Sequence, residues 1–479
     1  MRTATLSTGL AGAFLLAVIL WTAQAASGPI QWMDNGAYVV RAVGDDLFAR
    51  ELGALSHPLF HLVSVLVTRA GGVEALALLN AALMVPMALL VIVTCRALGA
   101  GTNASILAAC TAVVAHSVFW TATKVEVYAL NVTLLLACFW VAFDETLKLN
   151  RAARMIAVGA LTGLALSVHQ LTLVCLPPLY VYLLVRYRTA ALFTVVGFLI
   201  GLAACYPAIW SVIHVGGDVF QVVRGFLTGA DPGAAQLSGY ESSLFRFDLM
   251  WEDKAYVMIG LLSFAGVQAW GLLQRPKNAK ELVMWAAVIL DALFSLSYRV
   301  NDRFTFLLPG AVLLSVLAWV RIDRGMRDTP LRLAGAIPLI VAPPLAFVLL
   351  YLASARGLVS LPQHVNALPF RNDVHYFLAP YVKDDSAARF AAAYARVAPP
   401  GATVFADWTP EGALQSAQAG GGFRGRTVIE CSRYPQWRRH PSAPVIYVVR
   451  LQPDCGAAGI SNAVRLPLGY AAPAVGAAP

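Results

Sequence analysis

The sequence predicts a mainly α-helical, polytopic transmembrane bundle of about eleven spans, followed by a small C-terminal α/β domain. Of the 479 residues, 59% are hydrophobic and only 13% are charged, whereas soluble domains carry roughly 25% charge. The mean hydropathy is +0.68, and apolar runs of spanning length recur through residues 1–355. Residues 356–479 instead combine more charge with short strand-like runs and turn signals. We therefore expect a membrane domain over 1–355 and a separate tail domain over 356–479.

The apolar runs are interpreted as membrane spans because crossing the bilayer takes about 20 apolar residues. The first run is expected to be an uncleaved anchor, although AQAAS at 23–27 resembles a signal-peptidase site. The sixth run is short, and Pro177 and Pro178 are expected to kink it. The expected spans are approximately 5–25, 73–95, 102–120, 125–143, 155–171, 172–185, 190–214, 255–273, 282–298, 304–320 and 333–354.

The distribution of Lys and Arg predicts that the N-terminus is cytoplasmic. With that orientation, the inner segments carry 14 Lys and Arg in 45 residues, and the outer segments before the tail carry 9 in 102. This is the direction that the positive-inside rule requires. Basic loops between spans also account for the net charge of +9, so nucleic-acid binding is not expected.

The stretch ELGALSHPLFHLVSVLVTRAGG at 51–72 contains an apolar run that is too short to span. If 57–68 crossed the membrane, every later loop would change sides and the basic loops would face outward. We therefore expect a partly amphipathic helix on the outer surface, with Ser56 as its cap and Pro58 in its first turn.

The tail domain is expected outside the cytoplasm. ATVFADW, RTVIECS and APVIYVVRL are typical of short buried strands, and SAARFAAAYARV is typical of a helix. In an oxidising compartment Cys431 and Cys455 could form a disulfide, and this pairing stays open. The other five cysteines lie in or beside apolar runs, and no cysteine spacing indicates zinc.

Polar residues concentrate where the expected spans meet the outer face. Such residues are costly beside hydrocarbon, so they are candidates for a functional site, although each also has a structural explanation. Glu126 could pair with Lys124 or cap the fourth span, and the two arginines could be interfacial anchors. Asp291 is a separate mid-span acid, expected to bond within the bundle. The candidate site residues are Asp34, His57, Glu126, His169, Arg299, Asp302 and Arg303.

Several short motifs resemble the GT-C superfamily of polytopic glycosyltransferases, and most closely its protein O-mannosyltransferase-like group. An acid follows the first span, HP precedes the surface helix, and FW…EVY lies at the third external turn. GLALSVHQLTL and NDRFTFLLP resemble later segments of that group, so the resemblance covers roughly 1–320. The sequence departs from the group where Ala37 replaces a second first-loop acid and where HP is not followed by the group's Pro-rich run.

The resemblance implies a sugar transferase that uses a polyprenyl-phosphate-linked donor and an acceptor hydroxyl on the outer face. Asp34 is the expected general base, and Arg303, Arg299, His57 or His169 would stabilise the leaving phosphate. Glu126 would orient the acceptor, position a basic residue or help to hold a divalent metal ion, and metal dependence stays open. The acceptor is a protein, a glycan or a lipid.

Two other classes of function remain open at this point. A transporter or flippase for a lipid-linked or small polar substrate would need polar residues along a path through the bilayer. A non-catalytic envelope scaffold would tolerate the loss of Asp34. The Ala-rich, Cys-poor composition suits a bacterial inner membrane.

Overall fold

The computed structural model describes most of the chain. The described residues are 2–44, 46–48, 56–214, 218–228, 243–250, 254–273, 275–300, 302–326, 335, 337–359, 368–372, 374–431, 445–450 and 463–473. Cys455, which the sequence analysis considered as a disulfide partner, lies outside this part. Cys431 is disulfide-bonded.

The described residues form a chain of α-helices with a small sheet near the C-terminus. The first helices are α1 (Arg2–Ala25), α2 (Met33–Val43), α3 (Pro58–Ala97), α4 (Thr102–Val114), α5 (His116–Ala122), α6 (Tyr128–Phe143), α7 (Arg151–Val168), α8 (Thr172–Cys175), α9 (Pro177–Tyr187) and α10 (Phe193–Gly201). The later helices are α11 (Tyr206–His214), α12 (Val219–Thr228), α13 (Lys254–Leu262), α14 (Val267–Leu272), α15 (Ala279–Ser297), α16 (Leu308–Met326), α17 (Ile337–Ala355), α18 (Ser386–Tyr394) and α19 (Trp408–Ala419). Short 3₁₀ segments occupy Arg188–Leu192, Leu202–Cys205, Phe247–Leu249 and Arg303–Leu307, and Val374–Leu378 is a π-helix.

Six described helical segments are long and apolar enough to cross a membrane, or seven if the bent pair α4–α5 forms one span. A multispan helical bundle is therefore confirmed, but a count of eleven spans is not. Some expected spans are short or carry charge: α6 has 16 residues, and α15 contains Lys280, Glu281 and Asp291. Such helices can still lie within the bundle, because their polar groups have partners in neighbouring elements.

The surface helix expected over 57–68 is continuous with the second span but is bent away from it. α3 has 40 residues, which at 1.5 Å per residue is about twice the hydrocarbon thickness. The helix breaks at Gly72, whose φ of 73° and ψ of −176° are not helical. His57 rather than Ser56 is the N-cap, and Pro58 is in the first turn as expected.

Glycine allows two of the membrane helices to touch backbone to backbone. A Cβ atom on Gly159 of α7 would lie 2.0 Å from the Thr194 carbonyl oxygen, and one on Gly197 of α10 would lie 2.0 Å from the Ile156 carbonyl oxygen. Gly163 is equally tight against α10. Close helix approach of this kind replaces the hydrophobic effect as a driving force in lipid, because dispersion contacts depend on distance.

The mid-span acid Asp291 is fully buried, and both of its carboxylate oxygens have partners. The Gly310 backbone N–H donates to Oδ2 at 2.9 Å, and the Cys175 thiol lies 3.6 Å from Oδ1. These contacts tie α15 to the start of α16 and to the end of α8. Asp291 thus bonds within the bundle, as the sequence analysis expected.

The described residues between 368 and 473, which we call the C-terminal domain, include a five-stranded sheet of order β2-β1-β3-β5-β4. The strands are β1 (Thr403–Ala406), β2 (Thr427–Glu430), β3 (Val445–Val448), β4 (Val464–Arg465) and β5 (Tyr470–Pro473). β1 pairs in parallel with β2 and β3, whereas β5 pairs antiparallel with β3 and β4. The three strand-like runs and the helix of the sequence analysis correspond to β1, β2, β3 and α18, so the predicted small sheet is confirmed.

The C-terminal domain packs directly on α2, the helix that carries Asp34. α2 and α19 cross where Gly36 faces Gly412, and a Cβ atom on either glycine would lie 2.2 Å from a carbonyl oxygen of the other helix. The Gln31 backbone N–H donates to Ser416 Oγ at 3.1 Å, and Trp32 Nε1 donates to Ser386 Oγ at 2.9 Å. This contact fixes the position of the first-loop acid relative to the C-terminal domain.

Candidate active site

Asp34 lies in the first turn of α2, where a carboxylate interacts favourably with the helix N-terminus. Its Oδ1 accepts a hydrogen bond of 2.5 Å from Nε1 of Trp408, the first residue of α19. Burial raises the pKa of Asp34, and the Trp408 hydrogen bond and the charge of Arg41 only partly oppose this effect. A carboxylate with a raised pKa is a better proton acceptor near neutral pH than an ordinary surface aspartate.

Glu126 lies in the turn before α6 and is 3% exposed. Its Oε1 accepts a hydrogen bond of 2.9 Å from the Asn35 side-chain amide, and its Oε2 accepts one of 3.1 Å from the Val127 backbone N–H. Burial and the negative charges of Asp34 and Asp302 raise the pKa of Glu126 well above its ordinary value. Asp34 and Glu126 therefore lie close enough to affect each other's ionisation.

Asp302 is the third carboxyl group of this neighbourhood. Burial and the charge of Asp34 raise its pKa to about 7. Three neighbouring carboxyl groups cannot all ionise freely near neutral pH, so their titrations are coupled. We call Asp34, Glu126 and Asp302 the carboxyl cluster. A coupled cluster of this kind can accept and release a proton within the physiological pH range.

Lys124 does not pair with Glu126, contrary to one of the sequence alternatives. Its Nζ donates to Ser27 Oγ at 2.7 Å and lies 3.6 Å from a carboxylate oxygen of Asp384 in the C-terminal part of the chain. The same Nζ lies 4.9 Å from the ring centroid of Tyr376. The lysine therefore links the turn before α6 to the C-terminal domain and leaves Glu126 without its countercharge.

His57 and His169 stack on each other, with ring centroids 5.2 Å apart and an interplanar angle of 14°. His57 Nδ1 lies 2.7 Å from the Val168 carbonyl oxygen, so this nitrogen carries the proton. His169 Nδ1 accepts from the Leu171 backbone N–H at 3.0 Å, so its proton is on Nε2. Burial lowers the pKa of His57 to about 3 and that of His169 well below its ordinary value. Both rings are neutral at pH 7, and the positive charge considered for them is absent.

Tyr128 connects the histidine pair to the carboxyl cluster. The Tyr128 ring lies 5.0 Å from the His169 ring, and burial and the charges of Glu126 and Asp302 raise the pKa of its hydroxyl. The structure therefore brings five of the seven candidate residues into one neighbourhood on the side of the bundle where the C-terminal domain packs.

The two candidate arginines have other contacts. Arg303 is 2% exposed, and its guanidinium donates to the carbonyl oxygens of Val300 at 3.1 Å and Leu296 at 3.5 Å. Arg299 is exposed, and its charge acts on Asp248 rather than on the carboxyl cluster. The charge of Arg303 lowers the pKa of Asp302, and the charge of Arg41 acts on both Asp34 and His57.

Residues of the C-terminal domain complete the site. The Tyr376 hydroxyl donates to Asn35 Oδ1 at 2.8 Å, and the Asn35 amide then donates to Glu126. Arg371 lies over the Tyr376 ring at 4.2 Å. Sequence reasoning did not single out Trp408, Tyr376 or Arg41. Only Arg41 had a sequence signal, because it follows Asp34 by two helical turns and so shares its helix face.

No group of three or more His, Cys, Asp or Glu side chains within the described ranges is arranged to hold a metal ion. The three carboxyl groups are electrostatically coupled without meeting at a common ligand distance.

The comparisons with known proteins agree with this architecture. Residues 59–192 match the family described as the protein O-mannosyl-transferase TMEM260 N-terminal domain. The chain is similar to ArnT from Cupriavidus metallidurans in the apo state, with a TM-score of 0.60, 14% identity and 98% of each chain covered. For the same protein bound to undecaprenyl phosphate, the TM-score is 0.57 at 13% identity, again over 98% of each chain. None of the curated proteins compared with the chain is a sequence match.

These likenesses confirm the resemblance to the GT-C superfamily and the predicted fold class. At such low identities the structural similarity establishes the fold, and the family match carries the resemblance to the O-mannosyltransferase-like group. The sequence motifs reached only to about residue 320, whereas the structural similarity extends over the C-terminal domain as well.

Proposed function

We propose that this chain is a membrane glycosyltransferase that moves a sugar, with mannose as the first candidate, from a polyprenyl-phosphate carrier to an acceptor hydroxyl at the outer face of the membrane. The observation that carries the proposal is Asp34, held by Trp408 where α2 meets the C-terminal domain and coupled to two further carboxyl groups. Two likenesses support it: the fold shared with ArnT, which has been crystallised with undecaprenyl phosphate, and the family match to a protein O-mannosyl-transferase domain.

In the proposed reaction Asp34 is the general base. Its carboxylate takes the proton of the acceptor hydroxyl as the hydroxyl oxygen attacks the anomeric carbon of the sugar. The bond between that carbon and the phosphate oxygen breaks, and its electron pair stays on the polyprenyl phosphate. The Trp408 hydrogen bond fixes the direction of the carboxylate, and burial keeps it basic enough to accept the proton.

The leaving phosphate needs positive charge and hydrogen-bond donors. Arg41 supplies the charge beside Asp34 and His57, and His169 has an Nε2–H that can donate. Neutral His57, protonated on Nδ1, presents an unprotonated Nε2, which cannot donate to a phosphate oxygen. We therefore assign donor-phosphate binding to Arg41 and His169 before His57, with Arg299 and Arg303 in supporting positions.

The transporter alternative is less well supported. Asp291, the mid-span acid that such a path would use, is fully buried and bonded to Gly310 and Cys175. The remaining candidate residues cluster on one side of the bundle. The scaffold alternative differs from the enzyme in one respect, because a scaffold does not need a proton-accepting Asp34.

The test compares a deletion strain with the same strain restored by wild type, by Asp34→Asn or by Asp291→Asn at matched membrane levels. Envelope proteins, glycans and lipids are analysed by mass spectrometry. We expect a sugar-sized mass to disappear on deletion and to return with wild type and Asp291→Asn only. Full restoration by Asp34→Asn would remove the general base from the proposal and favour the scaffold.

A further inference from the structure

A cleft of about 380 Å³ lies between α2 and the C-terminal domain. One wall is the α2 face that contains Met33 and Arg41, and the opposite wall is the whole of strand β2. α19 forms the floor with Trp408, Glu411 and Gln415. The volume lies in the range of ligand sites, and the lining combines an aromatic ring with a few polar groups.

The cleft adjoins the proposed general base through two side chains, although Asp34 itself is not part of its lining. Trp408 lines it and also donates its indole N–H to Asp34. Arg41 lines it as well, and its charge acts on Asp34. A molecule in the cleft therefore contacts the two side chains that define the environment of the Asp34 carboxylate.

Strand β2 lines this cleft over its whole length. Within the described residues it is the outermost strand of the sheet, and its pairing partner there is β1. The Thr427 N–H donates to the Ala402 carbonyl at 2.9 Å. In a parallel ladder alternate residues of a strand face the same neighbour, so Thr427 and Ile429 face β1 and the peptide groups of Val428 and Glu430 face away from it. An edge of this kind is a template for another extended chain.

The charge of the cleft also suits a polypeptide. Glu411 and Glu430 contribute two carboxylates to its lining, and Trp408 is 36% exposed. Successive side chains of an extended chain point to opposite faces. A hydroxyl residue can therefore point towards Asp34 while basic residues of the same segment lie near the two glutamates.

We propose that this cleft binds the acceptor as an extended polypeptide segment, added as a strand to the open edge of β2 with a Ser or Thr hydroxyl directed towards Asp34. The inference rests on the proposed function and adds the site and the binding mode to it. In this proposal the C-terminal domain binds the backbone of the acceptor through hydrogen bonds to β2.

The test uses the full-length protein in lipid nanodiscs, with benzoylphenylalanine replacing Ala37 in the cleft wall. The probe is a fluorescent pool of short peptides, each with one central Thr and other positions varied without Pro. Two further pools carry backbone N-methyl groups on alternate residues, one in phase with the Thr and one out of phase. Because side-chain direction and N–H direction alternate together along a strand, only one of the two phases removes the hydrogen bonds to β2.

We expect photocrosslinking of the unmodified pool, a loss of about fivefold or more with one N-methylated pool, and little change with the other. Val428→Pro removes an outward N–H from an edge strand, a place where proline is tolerated, and should reduce crosslinking by a similar factor. Val428→Ala retains the N–H and should crosslink like the parent. The N-methylated pools alter only the probe, so the test holds even if Val428→Pro folds poorly.

Equal crosslinking of all three pools, or none above that of a free fluorophore, would overturn the proposal. Suppression of crosslinking by maltohexaose but not by unlabelled peptides would assign the cleft to glycans and also overturn it. If the envelope sugar still depends on Asp34 while peptides fail to bind, the proposed glycosyltransferase stands and only the strand-addition site is lost.

Discussion

Buried acids have different partners and neighbouring charges in the membrane bundle and at the junction between α2 and the C-terminal domain. In the bundle, Asp291 has partners on both oxygens and lies where no other acid acts on it. At the junction, Asp34, Glu126 and Asp302 act on one another, and the nearest lysine is paired elsewhere. Polar groups that only stabilise a fold are satisfied locally, whereas groups kept close to like charges retain reactivity at a cost in stability.

The largest expected effect contrasts the acids of the two regions. Asp34→Asn should lower sugar transfer by about 10²–10⁴-fold, the usual contribution of a positioned general base. Asp291→Asn keeps an oxygen acceptor for the Gly310 N–H and should leave transfer within a few-fold of wild type. Both rates are measured with membrane preparations of equal protein content. Similar losses in the two variants would mean that the contrast between the regions has no catalytic meaning.

The second prediction concerns the contact between the two regions. Gly36→Ala places a methyl group 2.2 Å from the Gly412 carbonyl oxygen, and overpacking of this kind costs about 1–3 kcal/mol. The C-terminal domain should detach from α2, with faster limited proteolysis of the tail and a loss of transfer. Gly12→Ala, which has no atom within 4 Å of the new methyl group, is the matched control. Unchanged proteolysis of Gly36→Ala would contradict the docked arrangement.

A smaller effect is expected from the hydrogen-bond relay across the junction. Tyr376→Phe keeps the ring beneath Arg371 but removes the hydroxyl that donates to Asn35. An unsatisfied buried partner costs about 1–3 kcal/mol, so transfer should fall by roughly tenfold. Its pH profile should also change, because Asn35 bonds Glu126. Tyr381→Phe removes a buried hydroxyl bonded to the Val114 carbonyl, and this control should leave the pH profile unchanged.

The smallest expected effect is a shift in pH dependence. The carboxylate form of Asp34 is the active form, so the rate should fall as the pH drops through its raised pKa. Asp34 raises the pKa of Asp302, and the coupling is reciprocal. Asp302→Asn should therefore move the acidic limb of the rate profile to lower pH. Asp248→Asn, an exposed acid paired with Arg246, should not move it, and a shift to higher pH in Asp302→Asn would contradict the coupling.

Some of the candidate site residues could be predicted from the sequence alone, whereas their charges and partners could not. Asp34, His57, Glu126, His169 and Asp302 were found because polar residues beside apolar runs are visible in a linear pattern. Both histidine rings are neutral because burial lowers their pKa values, an effect that the linear pattern does not contain. Lys124 does not pair with Glu126, its neighbour in the sequence. It pairs instead with Asp384, which only folding brings near.

The sequence by itself determined the class of the protein, the helical bundle, three of the five strands of the small sheet and the region of the candidate site. These depend on composition and on periodicities within a few residues, which local physics dictates. Tertiary structure alone decided that Trp408 bonds Asp34 across 374 residues, that Tyr376 orients Asn35, and that β2 forms the wall of a cleft beside Asp34. Such contacts arise where glycines let two distant helices touch, because the meeting of their faces depends on packing in three dimensions.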